Sequence, residues 1–312
     1  MRFFENILRR AIILKENKKS NISYKHFLNP TGYSADGDFM NFGNLYGDFL
    51  SSDRMILDEL GRIKTFNEGV WVYNPVTAAE YALAIYGQYL RNSMSEEDFL
   101  YAARNLLYLQ QEDGGLRYYY NYPYYLDSEH YMKSGWVSGM AQGHALSVYA
   151  RAYNLTKEDI WAEASEKVIE FMGIPIKNGG VKSDLSSLDS GLEKYITYEE
   201  YPCMPPSYTL NGFMYATIGL FDWAVLGKEG ASKRQADKAF NMCIDSLKVL
   251  LPFFDLDGVS SYDLGHIVWH RKKPHVVAHY HAIHVAFCLI FYQITSEPVF
   301  EKYYYRWKRL AE

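Results

Sequence analysis

Three short strings in this sequence combine side chains that can take up or release a proton. They are Tyr198-Glu199-Glu200-Tyr201-Pro202, Tyr262-Asp263-Leu264-Gly265-His266, and His279-Tyr280-His281 followed by His284. A glutamate accepts protons at neutral pH, whereas a tyrosine, whose ordinary pKa is about 10, is a poor base and a serviceable acid. The strings therefore predict acid-base chemistry shared between glutamate and tyrosine.

The first string precedes a predicted helix. Pro202 favours an extended backbone at Tyr201, in which neighbouring side chains point to opposite sides. We therefore expect Glu199 and Tyr201 on one side and Glu200 on the other. A carboxylate near a helix start also interacts favourably with the helix dipole, and this structural role remains an alternative to catalysis.

Histidines are concentrated in the last two strings. Six of the nine histidines lie between His266 and His284. The carboxylate-rich pattern of a zinc peptidase is missing, so we predict no metal. Hydrogen-bonded histidines or groups that contact a ligand are the favoured interpretation.

The elements that position these strings are predicted to be helices. From Val76 onward apolar residues recur at three- and four-residue spacing, as in helical hairpins. The paired segments are 76–90 with 96–110, 137–153 with 157–172, 208–225 with 232–250, and 275–292 with 298–310.

Glycine turns follow three of the hairpins and indicate how they are arranged. They lie at Asp113-Gly114-Gly115, Asn178-Gly179-Gly180 and Asp257-Gly258, where glycine supplies a positive φ. The recurrence predicts a mostly α fold, an incomplete α/α barrel or toroid of about four hairpins with short strands and long loops at one end.

The longest loops, 117–130 and 182–206, are expected to be functional. Residues 1–75 are expected to pack as an N-terminal segment on a helical catalytic domain of residues 76–312.

Composition narrows the function classes. The 312-residue chain is 48% hydrophobic, so it can build a large core. Its net charge of -5 argues against a nucleic-acid-binding protein, which needs a basic surface to contact phosphates. Its three scattered cysteines fit no disulfide framework. Residues 1–18 are too charged for an export signal and predict a packing helix, with a membrane-surface helix as the alternative. We expect a cytoplasmic protein without an integral membrane segment, and a homodimer remains open.

Several strings occur in an order known from one enzyme family. They are Gly135-Trp136 with Met140-Ala141-Gln142-Gly143, Glu199-Glu200-Tyr201-Pro202, Leu210-Asn211-Gly212-Phe213, Tyr262-Asp263-Leu264 with His266, Tyr280-His281 with His284, and Arg306-Trp307-Lys308. In this respect the chain resembles the C-terminal catalytic domain of the heparosan D-glucuronyl C5-epimerases. The resemblance covers roughly 130–312 and, more weakly, the region from Tyr73.

The resemblance implies a uronate C5-epimerase that acts on a polysaccharide containing glucuronic or iduronic acid, without a cofactor. Removing the C5 proton beside a carboxylate creates an enolate-like species, which needs a base, an acid on the opposite face and donors around the carboxylate. By motif, the catalytic residues are Glu200, Tyr201, Tyr262 and Tyr280. We expect Glu200 and Tyr280 on opposite faces of the sugar, with Tyr201 and Tyr262 at the carboxylate.

Further side chains are candidates for substrate binding. They are Trp136, Gln142, Asn211, His266, His281, His284 and Arg117. For Gln142 and Asn211 amide capping of neighbouring helices is the alternative. His281, His284 or a lysine could lower the proton affinity of a catalytic tyrosine.

Two departures from the family pattern affect which substrate is predicted. Gly265 stands where an arginine is expected, so Arg271, Lys272, Arg117 or a histidine would have to replace it. The β-rich N-terminal region of the family is also not recognised, which favours a uronate glycan other than heparosan. A polysaccharide lyase, a glycoside hydrolase and a non-catalytic glycan-binding module remain alternatives.

Overall fold

A computed structural model describes residues 2–20, 23–124, 131–270 and 273–311, and within them the chain is mostly helical, as predicted. The helices are α1 Arg2–Ser20, α2 Tyr46–Ser51, α3 Pro75–Leu90, α4 Glu96–Leu107, α5 Gly139–Thr156, α6 Asp159–Met172, α7 Leu210–Leu226, α8 Ala231–Phe254, α9 Gly265–Val268, α10 Ala278–Thr295 and α11 Pro298–Trp307. The short strands are β1 Met55–Leu57, β2 Ile63–Asn67, β3 Val70–Val72, β4 Arg117–Tyr118, β5 Tyr122–Pro123, β6 Tyr131–Met132, β7 Trp136–Val137, β8 Lys182–Asp184 and β9 Ile196–Tyr198.

The four predicted hairpins are present as α3 with α4, α5 with α6, α7 with α8, and α10 with α11. The first member of each pair is buried almost all round, whereas the second exposes a polar face. These inner helices pack in chain order, α3 on α5, α5 on α7 and α7 on α10.

Two glycines allow α5 and α7 to approach almost to backbone contact. A Cβ at Gly219 would overlap the carbonyl of Gly143, and one at Gly143 would overlap the backbone of Ala216. Only residues without a side chain leave room for this crossing. The close approach sets the spacing of the central helix pair.

The N-terminal segment packs on all four inner helices. Its 3₁₀ turns, Tyr24–Phe27 and Phe39–Leu45, pack on α10 and α3 respectively and on each other. Helix α1, predicted as a packing helix, buries Ile13, and its Asn17 Nδ2 donates to the Leu310 carbonyl at 2.8 Å. Among the helices that the structure describes, none has the length and apolarity to cross a bilayer.

A buried ion pair links the N-terminal segment to the helices. Arg151 of α5 and Asp222 of α7 are both fully buried, with Nη1 and Oδ2 2.7 Å apart. The Tyr33 hydroxyl donates to the same carboxylate at 2.8 Å, and the Arg151 guanidinium donates to the Gly37 carbonyl at 3.3 Å. Each charge is therefore compensated inside the protein.

The strands form small antiparallel units between the helices. β1, β2 and β3 make a three-stranded sheet within the N-terminal segment, while β4 pairs with β7, β5 with β6, and β8 with β9. The predicted glycine turns have positive φ at Gly114, Gly179 and Gly258. Each turn leads into a long connection to the next inner helix.

Candidate active site

A cavity of about 690 Å³ lies at the N-terminal ends of the four inner helices. The helices contribute their first two turns through Glu80, Met140, Asn211, Tyr215, Tyr280 and Ile283, and the N-terminal segment contributes His26, Phe42 and Asp48. The long connections supply the remaining wall, including Tyr118, Tyr120, Tyr122, Trp136 and Tyr201. Helix N-termini carry partial positive charge, so this end of the helices favours an anionic ligand.

The four predicted catalytic side chains converge here although they are up to 80 residues apart in sequence. Glu200, Tyr201 and Tyr280 line the cavity. Tyr262 lies behind them, its hydroxyl 3.4 Å from Glu200 Oε1 and 3.5 Å from the Tyr201 hydroxyl. Its ring is 4.5 Å from that of Tyr280, centroid to centroid. The three strings therefore form one constellation.

The alternation expected for Glu199, Glu200 and Tyr201 is wrong. Glu200 and Tyr201 both line the cavity because the backbone bends at these two residues and ends the extended run of β9. Alternation of side chains holds only while the backbone stays extended.

The neighbouring glutamates have different surroundings. Glu199 accepts hydrogen bonds from the Thr197 hydroxyl at 2.8 Å and from the Tyr208 N–H at 3.0 Å, just before α7. It thus takes the structural role near a helix start. Glu200 Oε1 accepts from Tyr262, whereas its Oε2 has no hydrogen-bond partner among the residues described. Gly212 makes room for this carboxylate, since a Cβ there would overlap it.

Burial raises the pKa of Glu200 to about 7, although the Tyr201 and Tyr262 hydroxyls oppose the rise. A carboxylate with a pKa near neutrality is suited to general-base chemistry, because it binds a proton tightly enough to remove one from carbon yet is partly ionised. Glu200 therefore combines a place in the cavity wall with appropriate basicity, and its unpaired Oε2 is buried beside Gly212.

The tyrosines are held as hydroxyls. Burial, followed by the negative charge of Glu200, raises the pKa of Tyr201, Tyr262 and Tyr280 above the ordinary value. They are therefore donors at neutral pH rather than bases. The prediction that a histidine lowers their proton affinity is wrong for His281 and His284, whose Nδ1 atoms lie 2.8 and 2.7 Å from the Ser260 hydroxyl.

The candidate binding residues divide between the cavity and its surroundings. Trp136 and Asn211 line the cavity, and Asn211 Oδ1 is buried without a hydrogen-bond partner in the described part of the chain. Gln142, His266, His281, His284 and Arg117 are not among the lining residues.

Contacts elsewhere explain the positions of two of these candidates. In the amide orientation that satisfies both atoms, Gln142 donates to the Gly114 carbonyl at 3.2 Å and accepts from the Leu116 N–H at 3.0 Å. This is a structural contact, but to the connection after α4 rather than to the end of a helix. Arg117 pairs with Asp113. Arg271 and Lys272, considered as replacements for the missing arginine, lie outside the described residues.

Sequence reasoning missed most of the aromatic wall and two acids, Asp48 and Glu80. The Tyr122 and Tyr201 rings stack with centroids 5.5 Å apart, and Tyr118 stacks on Trp136 at 3.8 Å. Flat, stacked rings suit the apolar face of a sugar. Glu80 was also missed, although it is the one charged residue in the sequence of α3, a signal that could have identified it.

Comparison with known proteins identifies relatives. The profile of the family described as D-glucuronyl C5-epimerase C-terminus matches residues 110–309. A D-glucuronyl C5-epimerase of Caenorhabditis elegans is 32% identical over 181 residues, which cover 55% of this chain and 28% of that protein. An uncharacterized protein of Methanocaldococcus jannaschii is 28% identical over 193 residues, 62% of this chain and 56% of that protein. The chain therefore spans about a quarter and about half of these two relatives.

Proposed function

We propose that this chain, which belongs to the family of the D-glucuronyl C5-epimerase C-terminal domain, is an isomerase that inverts C5 of glucuronic or iduronic acid units in a polysaccharide. The observation that carries this proposal is the convergence of Glu200, Tyr201 and Tyr280 at one cavity, with Tyr262 behind them and its hydroxyl on Glu200. A cavity of about 690 Å³ is in the range that holds small ligands.

In the proposed reaction Glu200 removes the C5 proton and Tyr280 delivers its hydroxyl proton to the opposite face. The electron pair of the broken C–H bond passes into the neighbouring carboxylate as an enolate and returns to form the new C–H bond. Tyr201 donates a hydrogen bond to an enolate oxygen, while Tyr262, behind the cavity wall, donates to Glu200 and orients it. Solvent then takes the proton from Glu200 and restores the Tyr280 hydroxyl. The surroundings of Glu200 and the raised pKa of Tyr280 support these directions of transfer.

The architecture that we propose for this activity is an incomplete α/α barrel. The chain-order packing of α3, α5, α7 and α10 supports it, as does the placement of the second helix of each hairpin outside. In this arrangement the N-terminal turns at 24–27 and 39–45 occupy the gap between α10 and α3.

Deuterium exchange tests the function. Incubation with a panel of uronate polymers in deuterated water is expected to place deuterium at C5 without shortening the chains. Glu200→Gln and Tyr280→Phe are expected to reduce exchange by about 100-fold or more, the contribution of a positioned acid or base. Tyr119→Phe is the matched control, because this tyrosine is 62% exposed and does not line the cavity. Unchanged exchange in both site variants would contradict the assigned roles.

The same experiment separates the alternatives. A lyase would produce unsaturated, ultraviolet-absorbing ends, because its enolate expels the C4 substituent. A glycoside hydrolase is favoured by a specific observation, the presence of two carboxyl groups, Glu80 and Glu200, in the cavity wall. It would release reducing ends without deuterium uptake. A glycan-binding module would show none of these products. Gly265 in place of an arginine supports a uronate glycan other than heparosan.

A further inference from the structure

Glu80 occupies an unusual position for an acidic residue. It is on α3, between buried residues on both sides, and about a quarter of its side-chain surface is exposed where it lines the cavity. It precedes residues 110–309, the region matched by the family profile. Acidic side chains on inner helices are rare unless they are paired or bind a ligand.

The neighbour of Glu80 is a histidine that presents a lone pair. His144 of α5 is fully buried, and its Nδ1 lies 3.0 Å from the Met140 carbonyl. Because a carbonyl only accepts, Nδ1 carries the hydrogen. Burial lowers the pKa of His144 to about 4, so its Nε2 carries none at neutral pH. This Nε2 lies 3.7 Å from Glu80 Oε1. An ionised Glu80 would set a negatively charged oxygen against this lone pair, which favours a neutral carboxyl group. At 3.7 Å the two atoms are beyond hydrogen-bond distance, so the Glu80 hydroxyl is not used by His144.

The charges of the cavity-lining residues also favour a neutral Glu80. Among the lining residues that the structure describes there is no lysine or arginine, whereas Asp48, Glu80 and Glu200 are acids. A bound uronate would bring a further carboxylate. If all these groups were ionised, like charges would oppose binding within a partly buried space. Within the described lining, the donors to the substrate carboxylate are therefore neutral groups or histidines.

We propose, building on the proposed epimerase function, that Glu80 is a neutral carboxylic acid whose hydroxyl donates a hydrogen bond to the carboxylate of the bound uronate, in place of a cationic side chain. The same bond strengthens as the enolate develops, because the acceptor gains negative charge. Glu80 is thus a substrate-binding residue that selects uronic acids over neutral sugars.

This assignment has a pH signature. Burial, with the charge of Glu200 second, raises the pKa of Glu80 to about 8. Uronate binding is therefore expected to weaken as the pH rises through about 8, where Glu80 ionises. The titratable groups facing Glu80 are His144 on α5, Tyr215 on α7, Tyr280 on α10 and Glu200. His26, Asp48 and His279 line the same cavity.

Binding of the methyl glycoside of glucuronic acid, compared with methyl glucoside, tests the selectivity without requiring turnover. Glu80→Ala is expected to weaken glucuronide binding about 10- to 100-fold, the effect of losing one hydrogen bond to a charged group, and to leave glucoside binding unchanged. Glu80→Gln keeps a neutral donor in its amide, so its affinity for the glucuronide is expected to stay within about fivefold of the wild-type value. In this variant the affinity should no longer fall as the pH rises above 8. Equal losses in both variants, or none in Glu80→Ala, would overturn the proposal.

Infrared spectroscopy reports the protonation state independently. At pH 7 the infrared difference spectrum, wild type minus Glu80→Gln, is expected to contain the carbonyl band of a protonated carboxylic acid. Bands of an ionised carboxylate in its place would overturn the assignment. Failure of the epimerase function itself is recognised separately, by the absence of C5 exchange in the wild-type protein.

Discussion

At the scale of single residues, hydrogen-bond partners distinguish two adjacent glutamates. Glu199 accepts hydrogen bonds from the Thr197 hydroxyl and the Tyr208 N–H, whereas Glu200 lines the cavity and its buried Oε2 has no hydrogen-bond partner among the described residues. Each carboxylate is buried, but only the second can meet a substrate atom. The Tyr-Glu-Glu-Tyr string thus divides into an acid with structural contacts and an acid that lines the cavity.

The raised pKa of Glu200 has a consequence for stability. The folded protein retains this proton up to a pH of about 7, whereas an unperturbed glutamate releases it near 4.5. Between these values the folded state binds more protons than the unfolded state, so the stability contribution falls as the pH rises. Glu200→Gln removes this loss and is expected to be more stable than wild type by about 2–3 kcal/mol at pH 8, with little difference at pH 4.

Urea unfolding at several pH values measures this difference. Glu229→Gln serves as the control, since that side chain is 88% exposed, and it should follow the wild-type pH dependence. A constant offset between Glu200→Gln and wild type from pH 4 to 8 would show that Glu200 titrates normally. The gain in stability would accompany loss of exchange, as expected where function requires a buried charge.

At the scale of elements, the position of the site depends on how closely helices cross. Helices α5 and α7 carry Met140, Asn211 and Tyr215 to the cavity, and their crossing at Gly143 and Gly219 sets the distance between these walls. The contact at these glycines is between backbone atoms, which cannot move aside as the end of a flexible side chain can. The inner helix pair therefore controls the width of the cavity.

Gly219→Ala tests this control. The added methyl group would overlap the Gly143 carbonyl, so the helices must separate, and we expect a loss of about 1–3 kcal/mol, the usual effect of overpacking. Uronate binding should weaken as well, because the cavity walls move. Thermal unfolding and glucuronide titration measure the two effects. Gly47→Ala is the control, since a Cβ there would meet nothing within 4 Å. Wild-type stability in Gly219→Ala would show that the crossing tolerates expansion.

At the scale of the whole molecule, the N-terminal segment completes the cavity. Phe42, Asn44 and Asp48 belong to this segment and line the same cavity as Glu200. The segment is attached to the inner helices through the Tyr33, Arg151 and Asp222 network. Loss of that network would therefore affect both the fold and the site.

Arg151→Met tests the attachment. The change leaves Asp222 buried without its cation, and removing one partner of a buried pair costs about 3–5 kcal/mol. We expect lower stability and faster proteolytic cleavage within residues 23–52, followed by mass spectrometry. Arg104→Met is the control, since the Arg104–Glu158 pair is half-exposed on both sides. If the two variants lost the same stability and were cleaved at the same rate, the buried pair would have no special role in attaching the segment.

The sequence by itself determined the helical hairpins and which side chains are the main candidates for the site. Helix formation follows local periodicity, so α3, α5, α7 and α10 were predictable to within a few residues. The ordered strings around Glu200, Tyr262 and Tyr280 were recognisable because each is contiguous in sequence, and the structure brings all three together.

Only the tertiary structure decided which way several of these side chains face. A bend at Glu200 and Tyr201 places both at the cavity, Ser260 holds His281 and His284 away from it, and Glu80 reaches it from a helix outside the recognised strings. The physical reason is that orientation and protonation depend on neighbours distant in sequence. Burial among those neighbours also raises the pKa of Glu80 and Glu200, which no local pattern records.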